Sequence, residues 1–100
     1  MISMFKNHAL VTQFTINDYT LSVYIGEGSY SDSKNWDRSS DEIDSKNAEI
    51  AIINSEGKYI LPMDVEGYQS AEAIARVLHV MLTKHDTDEA LVQNVLAVLD

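Results

Sequence analysis

The stretch Ser70–Lys84, SAEAIARVLHVMLTK, has the periodicity of an amphipathic helix, and the rest of the fold is predicted around it. Ser70 stands where an N-cap belongs, and Glu72 suits the positive start of a helix. A lone helix of this length does not repay the entropy of ordering its backbone, so it needs a surface to pack on. Its apolar stripe recurs at i, i+3, i+4, i+7 and i+8 and comprises Ile74, Val77, Leu78, Met81 and Leu82.

Two alternating runs, Ala9–Ile16 and Tyr19–Gly26, flank the pair Asn17–Asp18 and predict a β-hairpin. Asn and Asp tolerate the left-handed backbone that a two-residue turn requires. The face that carries Phe14, Leu21, Val23 and Ile25 is predicted to lie beneath the helix, because a slip of one residue would bury the polar set instead. The predicted pairs are Ile16 with Tyr19, Phe14 with Leu21, Thr12 with Val23, and Leu10 with Ile25.

A second hairpin is predicted from Ala48–Asn54 and Lys58–Leu61, which are joined by a short turn that contains Gly57. The first of these strands is apolar on both faces, as suits a central strand. Pro62 cannot donate to a strand ladder and ends the hairpin. The following segment, 63–69, is predicted to be a short acidic connection.

A second helix is predicted over Asp88–Leu99, with Asp86 or Thr87 as its cap. The sequence thus predicts an α+β fold, in which an antiparallel sheet of two β-hairpins, about four strands, is packed by two C-terminal helices. Val98 and Ala90 mark an apolar edge of the second helix. Such an edge favours an alternative role for the protein, namely a structural or regulatory module that self-associates as a homodimer through its helix pair.

Composition indicates one domain, residues 1–100, with 45% hydrophobic residues and no cysteine. The absence of cysteine fits a reducing compartment, and no run is apolar enough for a signal peptide or a membrane span. We therefore expect a cytoplasmic protein. The net charge of −9 disfavours direct binding to nucleic acid or to anionic membranes, and it favours basic protein surfaces.

No motif in the sequence indicates catalysis, a metal or a cofactor. His85, Asp86 and Asp88 have the spacing of an ordinary helix cap, and zinc would need a tighter cluster of ligands. The Gly26–Ser31 turn follows a strand, as a phosphate loop would, but it lacks the Gly-Lys-Ser/Thr ending. A small-ligand site at this turn is the third and weakest hypothesis. We predict that the protein is not an enzyme and holds no cofactor.

The segment 27–47 is predicted to be a long acidic loop, because Ser, Asp, Asn and Gly dominate it. Its carboxylates would present a negative field to a basic surface, and its aromatic rings would anchor the contact. The predicted partner is the basic surface of a nucleic-acid-binding protein. The candidate partner-binding residues are Tyr30, Asp32, Trp36, Asp37, Asp41, Glu42 and Asp44.

In size, acidity, lack of cysteine and order of elements, the whole chain resembles small phage-encoded inhibitors of bacterial defence, such as anti-CRISPR and anti-restriction proteins. The resemblance rests on these general properties and on no motif. It implies a non-enzymatic protein that blocks a nucleic-acid-handling surface, with nucleic-acid mimicry as one route. It assigns no functional residue.

Overall fold

A computed structural model describes residues 2–5, 11–33, 35 and 42–100, and it confirms the α+β fold with two C-terminal helices. A four-stranded antiparallel sheet has the order β2-β3-β5-β6, and β1 pairs with β4 in a separate two-stranded sheet. The elements are β1 (Ile2–Phe5), β2 (Val11–Ile16), β3 (Tyr19–Tyr24), β4 (Glu42–Ser45), β5 (Asn47–Ile53), β6 (Glu66–Ser70), α1 (Ala71–Leu82) and α2 (Asp88–Leu96).

The first hairpin has the predicted register. Ile16 pairs with Tyr19, and both turn residues, Asn17 and Asp18, have positive φ angles of 51° and 70°. Phe14 pairs with Leu21 and Thr12 with Val23 as predicted, whereas Leu10 lies outside the described residues. One expectation for this face was wrong: Phe14 is 40% exposed, because β2 is an edge strand and the core does not extend over it.

The core lies between the sheet and the helices. Leu21, Val23 and Ile25 of the first hairpin join one buried cluster with side chains of the central strand and of both helices. β5 is internal, between β3 and β6, and its apolar character on both faces follows from that position. The other members of the cluster include Ile50, Ile52, Ile74, Val77, Met81, Leu91 and Val95.

The second hairpin differs from the prediction beyond its turn. Gly57 has φ +78° in the turn, as expected, but the returning segment makes only an isolated bridge between Ile53 and Tyr59. The chain then turns around Pro62, which has no N–H to give to a ladder. It rejoins β5 as β6, a strand where the sequence predicted only a connection.

The helices start at the predicted caps. The Ser70 hydroxyl accepts a hydrogen bond from Ala73 N, and the Thr87 hydroxyl accepts one from Ala90 N, each at 3.1 Å. Leu82, predicted to lie in the buried stripe, is 64% exposed at the end of α1. The regular part of α2 ends at Leu96, before the predicted Leu99.

The apolar edge predicted at Val98 is only partly open to solvent. Val98 is partly buried and packs against the core, and its carbonyl accepts a hydrogen bond from Arg76 Nε at 2.9 Å. Ala90 is likewise half-buried. A charged residue at position 98 would therefore disturb the folded state before it reported on self-association.

The predicted long loop is shorter than 27–47. Glu42–Ser45 forms β4 and pairs with Ile2–Phe5 near the N-terminus, a segment in which the sequence shows no pattern. Ile43 is only 1% exposed and belongs to the core. The pairing joins segments about forty positions apart, so no local sequence pattern predicts it.

Candidate protein-binding surface

The start of the predicted loop is held by a chain of buried serine hydroxyls. Ser29 Oγ lies 2.7 Å from Ser31 Oγ, which lies 2.8 Å from Ser33 Oγ. The chain is closed at both ends by the backbone of Gly26, whose N–H donates to Ser33 Oγ at 2.8 Å and whose carbonyl accepts from Ser29 Oγ at 2.7 Å. Because these hydroxyls bond one another and the backbone of Gly26, this Ser-rich turn is ordered and its hydroxyls are satisfied within the fold.

Three further hydrogen bonds fix this loop onto the sheet. Tyr30 N donates to Glu49 Oε1 at 3.1 Å, and Asp32 N donates to Asn47 Oδ1 at 2.7 Å. On its other side, the Tyr30 carbonyl accepts from Tyr68 N at 2.8 Å. The loop thus bridges the N-terminal part of β5 and the middle of β6.

We define the Tyr30–Tyr68 surface as Tyr30, Asp32, Glu49 and Tyr68. Asp44 is an exposed residue of β4 and is next in the chain to Ser45, whose hydroxyl bonds Asp32. The rings are 58% and 49% exposed, although large aromatic side chains usually find cover in a folded domain. Tyr68 also has a positive φ of 57°, a backbone conformation that is unfavourable for a bulky residue. Two tyrosines thus stand largely in solvent beside two carboxylates, those of Asp32 and Glu49, on backbone that hydrogen bonds hold in place.

The charge of Asp32 is stabilised where it stands. The Ser45 hydroxyl donates to Asp32 Oδ1 at 2.5 Å, and Lys46 N donates to the same oxygen at 2.8 Å. The hydroxyl bond is the main reason that the pKa of Asp32 lies below its ordinary value. One oxygen of this carboxylate is therefore used within the fold, and the nearby Lys46 makes this part of the surface less negative than the sequence suggests.

The structure places two of the predicted site residues, Tyr30 and Asp32, together on this surface. Tyr30, Asp32 and Asp44 are all exposed, and Glu42 lies in the same strand as Asp44. Trp36, Asp37 and Asp41 lie outside the described residues. The predicted set omitted Tyr68 and Glu49, which reach the surface only through the packing of β5 and β6. The one local sign was the Gly67–Tyr68 pair in a segment predicted to be a connection.

The opposite end of the sheet carries a polar cleft of about 380 Å³, where both hairpin turns meet the α1–α2 connection. Tyr19 Oη donates to Asp88 Oδ1 at 2.6 Å, and Asn54 Nδ2 donates to Asp88 Oδ2 at 2.9 Å. Asn17 Nδ2 lies 3.1 Å from the Met81 carbonyl and 3.2 Å from that of the following residue, and it thereby caps the end of α1. These groups bond one another and join the turns to the helices.

The same cleft contains the residues considered above as metal ligands. His85, Asp86 and Asp88 line it together with other polar side chains. Within the described residues, no group of three or more His, Cys, Asp or Glu side chains is arranged to hold a metal ion. The bonds from Tyr19 and Asn54 to Asp88, and from Asn17 to the end of α1, make the cleft a junction between the turns and the helices.

Replacing Tyr19 with Phe tests that junction. The bond to Asp88 raises the pKa of Tyr19 to about 12 and lowers that of Asp88. The tyrosine contribution is fully present below pH 10, the ordinary tyrosine value, and is lost as the pH rises toward 12. The Asp88 contribution is present above about pH 4 and is lost as the pH falls. We expect the variant to lose about 1 kcal/mol at neutral pH in urea unfolding.

The same measurements across pH provide a second readout. The variant should lose less stability than the wild-type protein between pH 10 and 12, since it no longer has this phenol. Replacing the exposed Tyr59 with Phe is the matched control and should leave the alkaline behaviour unchanged. Identical alkaline curves for the Tyr19 variant and the wild-type protein would contradict the assignment.

Among the described residues, no helix is both long and apolar enough to cross a membrane. Comparison of the whole chain with protein-family models, with curated proteins and with solved structures gives no match.

Proposed function

We propose that the protein is a non-enzymatic inhibitor that acts in the cytoplasm and binds a basic, nucleic-acid-handling surface of a partner protein. The Tyr30–Tyr68 surface is the contact region. The single observation that carries the proposal is the pair of half-exposed tyrosines fixed beside the carboxylates of Asp32 and Glu49. The net charge of −9 supports the same type of partner.

The order of the surface supports tight binding. The serine chain and the bonds from Tyr30 and Asp32 to β5 hold the loop before any partner arrives. Less conformational entropy is then lost on association than a flexible loop would lose. Tyrosine contributes a large contact area at low entropic cost, and it is enriched among residues that dominate binding energy.

The carboxylates have a different role. Exposed charges contribute little net affinity, but complementary fields steer the partners together and suppress contact with acidic proteins. The lowered pKa of Asp32 extends the charged range of this carboxylate to more acidic pH. Binding through such a surface competes with nucleic acid for the same lysines and arginines. That competition is the inhibitory action expected of an anti-CRISPR or anti-restriction type of protein.

The test begins with the immobilised protein and a bacterial lysate at low and at high salt. A protein retained at low salt and released at high salt is identified and purified, and its binding to a labelled nucleic acid is measured by fluorescence anisotropy. We expect the wild-type protein to displace the nucleic acid. A retained protein that binds no nucleic acid, or displacement that does not occur, would contradict the proposal.

Three variants locate the contact. Tyr30→Ala removes the ring and keeps the backbone hydrogen bonds, and we expect it to weaken binding about tenfold or more. Asp44→Lys and Glu56→Lys change the net charge equally, but Glu56 lies in the turn beyond the other end of β5. Asp44→Lys should weaken binding, and Glu56→Lys should leave it within about twofold. Equal effects of the two reversals would show that only net charge matters.

A further inference from the structure

The outer edge of β2 has the features of a strand that pairs with another strand. It is the first strand in the order β2-β3-β5-β6, and no other strand of the described residues pairs with it. Asn17 and Asp18 form a two-residue turn. Ile16 and Tyr19, on either side of it, are therefore the pair whose backbone N–H and C=O groups exchange the hydrogen bonds that close the hairpin. By alternation, the N–H and C=O groups of Val11, Gln13 and Thr15 point away from β3.

The strand itself carries none of three features that commonly protect a sheet edge. Natural sheets block their edges with lysine, proline or a bulge. β2, VTQFTI, contains no charged residue and no proline, although 23% of the chain is charged. Its pairing with β3 runs without a register shift. Val11 is 37% exposed and Phe14 is 40% exposed, on opposite faces of the strand.

We propose that β2 pairs antiparallel with β2 of a second copy of this chain, so that the two four-stranded sheets become one continuous sheet. Because β2 has no charged residue, it offers no charge complementarity to a basic or an acidic strand. The β2 strand of a second copy is equally neutral, so pairing the two strands places no charge without a partner at the interface. When the two-fold axis of the dimer passes beside Gln13, the outward-facing N–H and C=O groups of Val11, Gln13 and Thr15 can all form hydrogen bonds to the second copy. Gln13 then faces its own copy, and Val11 faces Thr15 of the second copy.

The side chains fit this register. Phe14 lies opposite Thr12 of the second copy, and the two Phe14 rings are diagonal neighbours, a distance that aromatic side chains can span. The contact is small, because only one short strand from each copy takes part. An interface below about 1,200 Å² is typical of a weak, concentration-dependent association. The dimer is therefore expected only toward high protein concentration.

Sedimentation analysis from about 10 µM to about 1 mM tests the association without any other protein. We expect the mass to rise from 11.2 kDa toward twice that value. A mass that stays monomeric over this range would overturn the proposal and leave the edge for a strand of a different protein. The outcome is independent of the proposed inhibitor function.

Charge variants at the two-fold axis test the register. Gln13 is exposed, so Gln13→Lys and Gln13→Glu should each fold normally, yet each sets like charges directly opposite one another in the dimer. We expect each variant alone to dimerise up to about fivefold more weakly, and an equimolar mixture to recover dimer formation.

Gln13→Lys reduces the net negative charge from −9 to −8, so a general relief of repulsion would strengthen association instead. Glu56→Lys is the control remote from the edge and should dimerise at least as well as the wild-type protein. Dimerisation of Gln13→Lys at wild-type strength, or a mixture no stronger than either variant, would assign the self-association to another surface and overturn the proposal.

Discussion

Replacing Ile43 with Ala is expected to lower the free energy of unfolding by about 2–5 kcal/mol. The side chain is 1% exposed and belongs to the same buried cluster as Leu21 and Ile50. Its truncation removes apolar contacts and leaves a cavity that a well-packed core closes only in part. Because a domain of this size has about 5–15 kcal/mol in total, the loss should be visible as a large shift of the urea midpoint.

Ile43→Val is the matched control. It removes a single methylene and keeps the branched shape, so we expect it to cost about 0.5–1.5 kcal/mol. The slope of unfolding against urea concentration should remain unchanged in both variants, which would show that the folded states are comparable. A loss below about 1 kcal/mol for Ile43→Ala would mean that this segment does not pack on the core.

Replacing Gly67 with Ala is expected to cost about 1–3 kcal/mol and to weaken partner binding at the same time. An added Cβ would lie 2.6 Å from Tyr30 Cβ and 3.0 Å from the Tyr30 carbonyl oxygen. Both atoms are fixed by backbone, so the loop must move to admit the methyl group. That movement strains the hydrogen bond from Tyr68 N to the Tyr30 carbonyl and separates the two rings.

Two controls separate the clash from other effects of losing a glycine. Gly57 has φ +78° and open space around it, so Gly57→Ala should cost about 1 kcal/mol from backbone strain and leave binding unchanged. Tyr30→Gly removes the Cβ that Gly67→Ala would meet, so the two substitutions should be non-additive, with the double variant more stable than their sum predicts. Strict additivity would contradict the steric explanation.

Local patterns predicted those parts of the fold that neighbouring residues determine. The first hairpin followed from alternation and from Asn17–Asp18, and both helix starts followed from hydroxyl caps at Ser70 and Thr87. β4 and β6 were missed because each is short, mostly polar and paired with a strand distant in sequence. In β4, Ile43 is the only apolar residue, and its burial depends on the pairing with β1.

The candidate site was predictable only in part, for a related reason. Composition indicated that the acidic segment carries exposed rings and carboxylates, and Tyr30 and Asp32 lie on the described surface. Tyr68 and Glu49 join them through the packing of β6 and β5, which depends on long-range pairing. The Ser-rich composition predicted a loop, but no local pattern showed that the hydroxyls of Ser29, Ser31 and Ser33 bond one another and the backbone of Gly26.

The cap that Asn17 places on α1 has a consequence for the route to the folded state. Its amide reaches carbonyls 64 and 65 positions further along the chain, so the contact forms only after the sheet and the helix have met. The hairpin that carries Asn17 is local and can form early, within microseconds. Contacts made after the rate-limiting step mainly slow the reverse reaction. This side chain should therefore slow unfolding of the native protein and have little effect on the folding rate.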